Sequence, residues 1–377
     1  MTTPMLLDPA VLARVNGAIE DIRAGRMVIL VDDEDRENEG DLVMAAQFCT
    51  PDAVNFMAKH ARGLICLTLT DAQVDRLGLP MMQQPGRQGP PLGTAFTISI
   101  EAREGVSTGI SAADRAHTMR VAANPHAVSS DVSSPGHVFP LRAREGGVLV
   151  RTGQTEGSVD LARLSGLTPA GVICEIMNDD GTMARMPDLE VFAAEHKVRI
   201  LSVADLIQYR LASEKLVRRA HEREVILDTT GTPWKAIAYD VLVDGREFLA
   251  LVKGDVRTQG PVLCRVHTGS VVGDLFASTA HEGGRRMREA IARIEAEGRG
   301  VLIYVPSRTP IATELEAQGN AKPAVATGDS PLREFGIGAQ VLADLGVREL
   351  TVLTHNPRKI AGLAGFGLVV SETRPLG

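Results

Sequence analysis

The sequence is poor in the residues that most often betray a function at first sight. Aromatic residues make up 3% of it, with a single tryptophan, and they do not interleave with arginine or lysine. A base-stacking platform for single-stranded nucleic acid needs both, so that class is set aside. The formal charge of -7 removes the general basic surface on which nucleic-acid binding depends. No aliphatic run approaches the ~20 residues of a membrane-spanning helix. Neither nucleic acid nor membrane is therefore an expected partner. The four cysteines, Cys49, Cys66, Cys174 and Cys264, stand far apart without a CxxC pair. That excludes both a disulfide framework and a cysteine zinc site as readings, and leaves each as a small buried residue. The first 25 residues lack the apolar core of a secretory signal and read as an amphipathic helix, so a cytoplasmic location is expected.

What is present is the composition of a globular protein: 377 residues, 44% hydrophobic and 23% charged, enough for two domains with separate cores. Val11, Val15, Ala18, Ile19 and Ile22 give a helix over 8–24. Thr50-Pro51 opens a second helix, with Thr50 as N-cap and Pro51 in the first turn. Further helices are expected at 71–77, 111–124, 158–164, 188–196 and 203–211. Strands are expected at 27–31, 42–46, 63–69, 95–100, 146–150, 172–177 and 199–203. Residues 79–93, crowded with proline, glycine and glutamine, form a long loop, a candidate lid. The alternation predicts an α/β domain. The charge-dense stretch 213–223 reads as a linker. Beyond it, strands at 225–227, 234–243, 248–253, 262–266, 301–305 and 350–353 accompany helices at 284–297 and 337–345, and a last helix after Pro357.

One stretch dominates the first region. Asp32-Asp33-Glu34-Asp35-Arg36-Glu37-Asn38-Glu39-Gly40-Asp41 sets seven carboxylates between two apolar strands. Such crowding needs solvent, a guanidinium or a metal ion to offset it, and either a solvated loop or a hard-cation site fits. It is not an EF-hand, because Asn38 stands where the obligatory glycine belongs. Other polar residues fall at strand ends or helix starts: Thr108, His137 in a Pro-Gly loop, and Arg151, Gln154, Thr155 and Glu156 in a strand-to-helix turn. Glu175 is a charge in an apolar strand, either a structural ion pair or a catalytic group.

At these residues the sequence resembles 3,4-dihydroxy-2-butanone-4-phosphate synthase, a lyase of riboflavin biosynthesis, over roughly 8–210. The resemblance rests on the acidic stretch 32–41, on Ser107-Thr108-Gly109-Ile110-Ser111-Ala112-Ala113-Asp114-Arg115, on Pro135-Gly136-His137-Val138-Phe139-Pro140-Leu141-Arg142, and on Pro169-Ala170-Gly171-Val172-Ile173-Cys174-Glu175. It implies a layered α-β-α domain with a mixed sheet, over 1–212. It implies ribulose 5-phosphate as substrate, a Mg2+ or Mn2+ ion, and a homodimer with the site at its interface. His137 and Glu175 match the catalytic pair. Glu37 and Gln154 match the metal ligands, with glutamine standing where the family commonly has histidine. Asp32, Arg36, Asp41, Cys66, Thr108, Arg151 and Thr155 match substrate-holding positions.

Residues 224–377 resemble GTP cyclohydrolase II, an α+β domain. The resemblance is carried by Gly260-Pro261-Val262-Leu263-Cys264-Arg265-Val266-His267, Gly273-Asp274, Glu297-Gly298-Arg299-Gly300-Val301-Leu302, Phe335-Gly336-Ile337-Gly338-Ala339-Gln340 and Thr354-His355-Asn356-Pro357-Arg358-Lys359. The three zinc-cysteine positions of that family fall on Ser270, His281 and Gly283. Its phosphate-handling stretch falls on Pro306-Ser307-Arg308-Thr309, and its acidic proton acceptor on Pro331. Arg333, Thr354 and Lys359 alone are kept. The expectation is a second domain without zinc or GTP cyclohydrolase II activity. The alternatives are a bifunctional enzyme or a non-catalytic regulatory subunit of flavin synthesis.

Overall fold

The computed structural model describes residues 8–34, 36–83, 86, 93–276, 282–307, 310–317, 331–354 and 368–376. It divides into two compact units, 10–207 and 208–377.

In the first unit the elements run α1 (Pro9–Arg23), β1 (Val28–Val31), β2 (Gly40–Ala45), α2 (Pro51–Phe56), β3 (Cys66–Leu69), α3 (Asp71–Arg76), β4 (Ile100–Ala102), α4 (Ala112–Ala123), β5 (Val132–Arg142), α5 (Gln154–Leu164), β6 (Ala170–Glu175), α6 (Met186–His196), β7 (Arg199–Ser202) and α7 (Val203–Ser213). Among the described residues the strands form one mixed sheet in the order β4-β5-β3-β6-β2-β1-β7. The pairs β1–β7 and β3–β5 are parallel and the others antiparallel. Strand alternation sorts side chains onto two faces. Ile29, Leu42, Leu67, Val172 and Val138 join Val54, Met57 and Met119 of the helical layer on one face. The other face lies under α5, where Gly157 sits on Leu30 and Gly171 on Ser158. Helix α1 backs α5: Ser165 donates to the Ile19 carbonyl at 3.2 Å and Arg23 to that of Ser165 at 3.1 Å. The expected α-β-α layering is the observed one.

Local signals account for the helices. The α1 stripe Val11, Val15, Ala18, Ile19 and Ile22 is buried as its spacing requires. Thr50 Oγ1 accepts from Ala53 N at 3.2 Å, and Ser111 Oγ from Asp114 N at 3.0 Å, satisfying first-turn amides.

Four expectations in this unit are corrected. Residues 146–150 are not a strand: Gly146 and Gly147 take φ values of 87° and 64°, and a single 3-10 turn follows. Residues 95–100 are not a regular strand, and β4 starts only at Ile100. Thr97 N donates to the Pro140 carbonyl at 2.9 Å, but Pro140 has no N–H to return the bond. The Pro-Gly loop assigned to His137 is part of β5, whose outer neighbour β4 covers only part of its length, so its prolines are tolerated. Helix α5 begins at Gln154 rather than 158, placing Gln154, Thr155 and Glu156 in its first turn. Of the candidate lid, residues 84, 85 and 87–92 lie outside the described residues.

The second unit continues with β8 (Val217–Leu227), β9 (Thr232–Val241), β10 (Glu247–Lys253), β11 (Val262–Thr268), α8 (Gly283–Glu297), β12 (Gly300–Val305), α9 (Ile311–Ala317), α10 (Pro331–Asp344), β13 (Glu349–Leu353) and β14 (Val369–Arg374). Its sheet order is β14-β13-β11-β12-β10-β9-β8 among the described residues. Trp234, Leu263, Ile291, Ile294 and Leu302 form a core beneath α8, whose predicted stripe of Met287, Ile291 and Ile294 faces it. The expected linker is corrected in part: from Val217 onward it is β8, at the sheet's end. Its charges are the solvent face of an edge strand, with Arg218 paired to Asp240 at 2.7 Å and Arg219 to Asp344 at 2.6 Å. The helix expected after Pro357 falls on residues 355–367, outside those described.

Candidate active site

The acidic loop is built around Asp32. Its backbone N–H reaches the Glu39 carbonyl at 3.3 Å, closing the loop between β1 and β2. Its carboxylate accepts from Glu39 N at 2.8 Å, Glu37 N at 3.0 Å and Arg36 Nη1 at 2.7 Å. Asp32, matched to a substrate position, is thus placed as the loop's internal acceptor. Asn38 takes φ 55°, a conformation asparagine tolerates. Arg185, at the start of α6, donates to the Glu37 carbonyl at 2.7 Å and to that of Asn38. Nothing in the sequence marked Arg185, because its role is to hold backbone rather than substrate.

Three oxygens converge on one cationic atom. Arg36 Nη1 donates to Glu37 Oε2 at 2.6 Å and to Gln154 Oε1 at 3.0 Å as well as to Asp32 Oδ2, so Glu37 and Gln154 both aim an accepting oxygen at one positively charged atom. Asp41 and Glu175 face each other across the β2–β6 ladder. Burial, then Glu175, Glu37, Glu39 and Asp32, push the Asp41 carboxyl well above its ordinary range. Burial raises Glu175 as well, and Glu39. This is a site short of positive charge. Among the described residues no three His, Cys, Asp or Glu side chains form a ready metal cage. One carboxylate and one amide oxygen nonetheless fit Mg2+, a hard ion that keeps most of its water shell. A thiolate- or imidazole-seeking metal would find no such donor in that pair.

The start of α5, beside Gln154, suits an anion. Helix α5 starts at Gly153, which supplies no side-chain cap, so the first-turn amides keep their capacity for a ligand. A Cβ on Gly153 would lie 2.5 Å from Arg151 Nη1 and 2.9 Å from Arg36 Nη2, so two guanidinium groups meet over this glycine. Arg151 is held by Glu156 at 2.7 Å and by Thr94 Oγ1 at 3.2 Å. Glu156 also accepts from Arg144 N at 3.0 Å, which makes it a support for the arginine. Thr155 is buried in the same turn.

Register aligns the remaining candidates. Cys66 pairs with Phe139 on one side and Ile173 on the other. Just ahead of β3, Leu64 N donates to Glu175 Oε2 at 2.8 Å. Alternation puts Cys66, Glu175 and Asp41 on the α5 face. Cys66 is buried, and burial raises its thiol. Thr108 is exposed in a loop fastened by Asp114, which accepts from Ser107 N at 3.1 Å, Ser107 Oγ at 2.7 Å and Gly109 N at 3.0 Å. His137 Nδ1 lies 3.1 Å from Glu101 Oε2. Glu101 was missed, although a charge between Ile100 and Ala102 was a visible signal.

A carboxylate-rich, cation-ready wall facing two arginines at a helix N-terminus defines an α/β enzyme site for a small anionic substrate. The comparisons specify which. Residues 16–209 match the family of 3,4-dihydroxy-2-butanone 4-phosphate synthase, and 218–375 match GTP cyclohydrolase II. The riboflavin biosynthesis protein RibBA of Aquifex aeolicus is 49% identical over 96% of this chain and 92% of its own length. A 3,4-dihydroxy-2-butanone 4-phosphate synthase of Pseudomonas syringae pv. tomato is 48% identical over 96% of this chain and 98% of its own. Among solved structures, a two-domain 3,4-dihydroxy-2-butanone 4-phosphate synthase, RibBX from A. baumannii, superposes with a TM-score of 0.78 at 39% identity, covering 97% of this chain and 99% of that one. A 3,4-dihydroxy-2-butanone 4-phosphate synthase in complex with two magnesium ions matches at TM-score 0.51 and 38% identity, over 53% of this chain and 97% of that one. The chain belongs to the 3,4-dihydroxy-2-butanone 4-phosphate synthase family, in its form fused to a GTP cyclohydrolase II region.

In the second unit, Ser270 Oγ is engaged by Gly273 N at 3.0 Å and by Glu314 at 3.1 Å. Gly283 opens α8, and a Cβ there would face Asp274 Oδ1 at 3.4 Å. His281, Arg308, Thr309, His355 and Lys359 lie outside the described residues, as do the side chains of Pro331 and Arg333. Thr354 is buried at the end of β13.

Proposed function

We propose that this chain converts ribulose 5-phosphate to 3,4-dihydroxy-2-butanone 4-phosphate and formate, supplying the four-carbon unit of riboflavin. The convergence of Glu37 Oε2 and Gln154 Oε1 on one cationic atom, beside the Asp41–Glu175 pair, carries the reading. Arg151, Arg36 and the α5 amides would take the phosphate, whose planar recognition by guanidinium is strong. Glu37 and Gln154 would hold Mg2+ or Mn2+, both of which accept oxygen ligands. The ion would polarise substrate oxygens and lower the cost of enolisation. Glu175, its carboxyl raised by burial, is suited to exchange protons with a carbon acid near neutral pH. His137 would be the second group in that proton exchange. Asp41 and Thr108 would orient hydroxyl groups, and Cys66 would form part of the wall. A homodimer completing the site, and a cytoplasmic location, belong to the same reading.

The second unit, in this reading, does not open the ring of GTP. Zinc hydrolysis needs three protein ligands. Ser270 is committed to capping its own turn and Gly283 offers no donor atom.

Formate release from ribulose 5-phosphate with Mg2+ tests the reaction. Glu37→Ala and Glu175→Ala should each reduce it by at least a hundredfold, in line with loss of a metal ligand or an acid/base group. A wild-type rate equal to the enzyme-free background would overturn the reading. Gln154→His should tighten Mn2+ binding roughly tenfold while leaving formate release within about tenfold of wild type. Mn2+ titration by electron paramagnetic resonance measures the first, and a gain far beyond tenfold in the second would mean that glutamine cripples the site.

A further inference from the structure

We propose that Glu101 is the positioning residue for His137, fixing which ring nitrogen is free to exchange a proton with substrate; this rests on the reaction proposed above. The contact is built rather than incidental. The β4–β5 ladder passes from Ile100↔Val138 to Glu101↔Ser133, so residues 134–137 bulge out of register. Bulges re-aim side chains, and this one carries His137 back against Glu101. Gly136 sits directly on the Ile100 backbone, where a Cβ would come within 2.1 Å of it. Ser99 secures the bulge from the other strand, its carbonyl accepting from Ser134 Oγ at 2.7 Å and its Oγ from Gly136 N at 3.2 Å.

The carboxylate is fixed from behind. Gly109, at φ 86°, lies against Glu101 so closely that a Cβ would fall 2.0 Å from Oε1. Asp114 pins the loop that carries Gly109. The Glu101 side chain is 14% exposed and the His137 ring 45% exposed, so the buried member holds the open one. Both carboxylate oxygens lie near Nδ1, at 3.3 and 3.1 Å. An ionised carboxylate only accepts, so Nδ1 must carry the hydrogen. The lone pair of the neutral ring is then on Nε2, the nitrogen turned away from Glu101. When Nε2 takes a proton, the Glu101 charge faces the imidazolium that forms. The same orienting logic lets a buried carboxylate set the tautomer of a catalytic histidine on unrelated folds.

The test is a 15N NMR spectrum of histidine-labelled enzyme beside steady-state kinetics of Glu101→Gln and Glu101→Asp. In wild type, neutral His137 should give the Nδ1–H tautomer pattern. In Glu101→Gln the Nε2–H form should gain. Its kcat should fall by about 10²–10⁴-fold with KM within twofold, and Glu101→Asp should recover at least tenfold of that loss. A wild-type Nε2–H tautomer, or a folded Glu101→Gln enzyme with kcat within threefold of wild type, would overturn the proposal. Should Glu101→Gln fail to fold, the wild-type tautomer decides. Should wild type release no formate, the reaction falls, and the tautomer still decides the Glu101 contact, Nδ1–H supporting it and Nε2–H overturning it.

Discussion

Asp41 and Glu175 sit side by side on neighbouring strands, with Glu37, Glu39 and Asp32 close by. Holding so many carboxylates together works against folding, and the raised Asp41 carboxyl fixes the sign. The fold favours the protonated form, so the native state binds more protons than the unfolded chain between the ordinary carboxylate range and the raised native value. Stability therefore falls as pH rises through that window, and the full penalty is present above it. Asp41→Asn should raise the melting temperature at pH 7.5 by several degrees, on the order of 1–2 kcal/mol, while formate release drops. A melting temperature at or below wild type would show that Asp41 is not a strained charge. Added Mg2+ should act in the same sense: its stabilising shift should be larger at pH 8 than at pH 6, because protons compete with the ion for its ligands. At this scale the sequence was informative about identity and silent about partnership. Glu37, Arg36 and Gln154 were visible as candidates, but their convergence joins positions 118 apart in the sequence. Arg185 and Glu101 act only through contacts that folding creates.

Helix α5 is the element on which the site turns, since its first turn carries Gln154 and Thr155 and its body crosses the sheet. It approaches closely because glycines face it. A Cβ on Gly171 would lie 2.7 Å from that of Ser158 and 2.8 Å from Thr68 Oγ1, in a hydrogen-bonded patch where Thr68 and Ser158 meet at 2.7 Å. Gly171→Ala should therefore push α5 outward and destabilise the protein by roughly 1–3 kcal/mol, as overpacking does. Because the displacement reaches the first turn, kcat should fall as well. Thermal melting and the formate assay together check this, and an alanine variant that melts and turns over like wild type would mean that α5 tolerates the shift. Elements of this kind were mostly legible. The α1 stripe, the Thr50 cap and the apolar β2 and β6 runs each encode their own structure locally. Three of the failures share one cause: a backbone requirement outweighed the side-chain pattern. Gly146 and Gly147 bent an apolar run into a turn, Pro140 broke a ladder, and a bulge made a strand of Pro135-Gly136-His137.

The whole chain joins a unit crowded with carboxylates to one in which, on the reading proposed above, Ser270 and Gly283 supply no zinc ligand. The second unit kept what its fold requires. Trp234 is buried and donates to Glu295 at 3.0 Å, and α8 closes an apolar core over the sheet. A domain whose stability came from zinc would melt on chelation, since metal binding energy is folding energy in such sites. Here Ser270 Oγ is spent within its own turn and on Glu314, and the glycine at 283 leaves Asp274 and His267 to one another at 2.9 Å. Purified protein should accordingly carry far less than one zinc per chain by elemental analysis. EDTA should leave the melting of the second unit unchanged, and no formate should be released from GTP. Stoichiometric zinc together with GTP turnover would show that this unit binds the metal through a set of ligands other than Ser270 and Gly283, and would make the enzyme bifunctional.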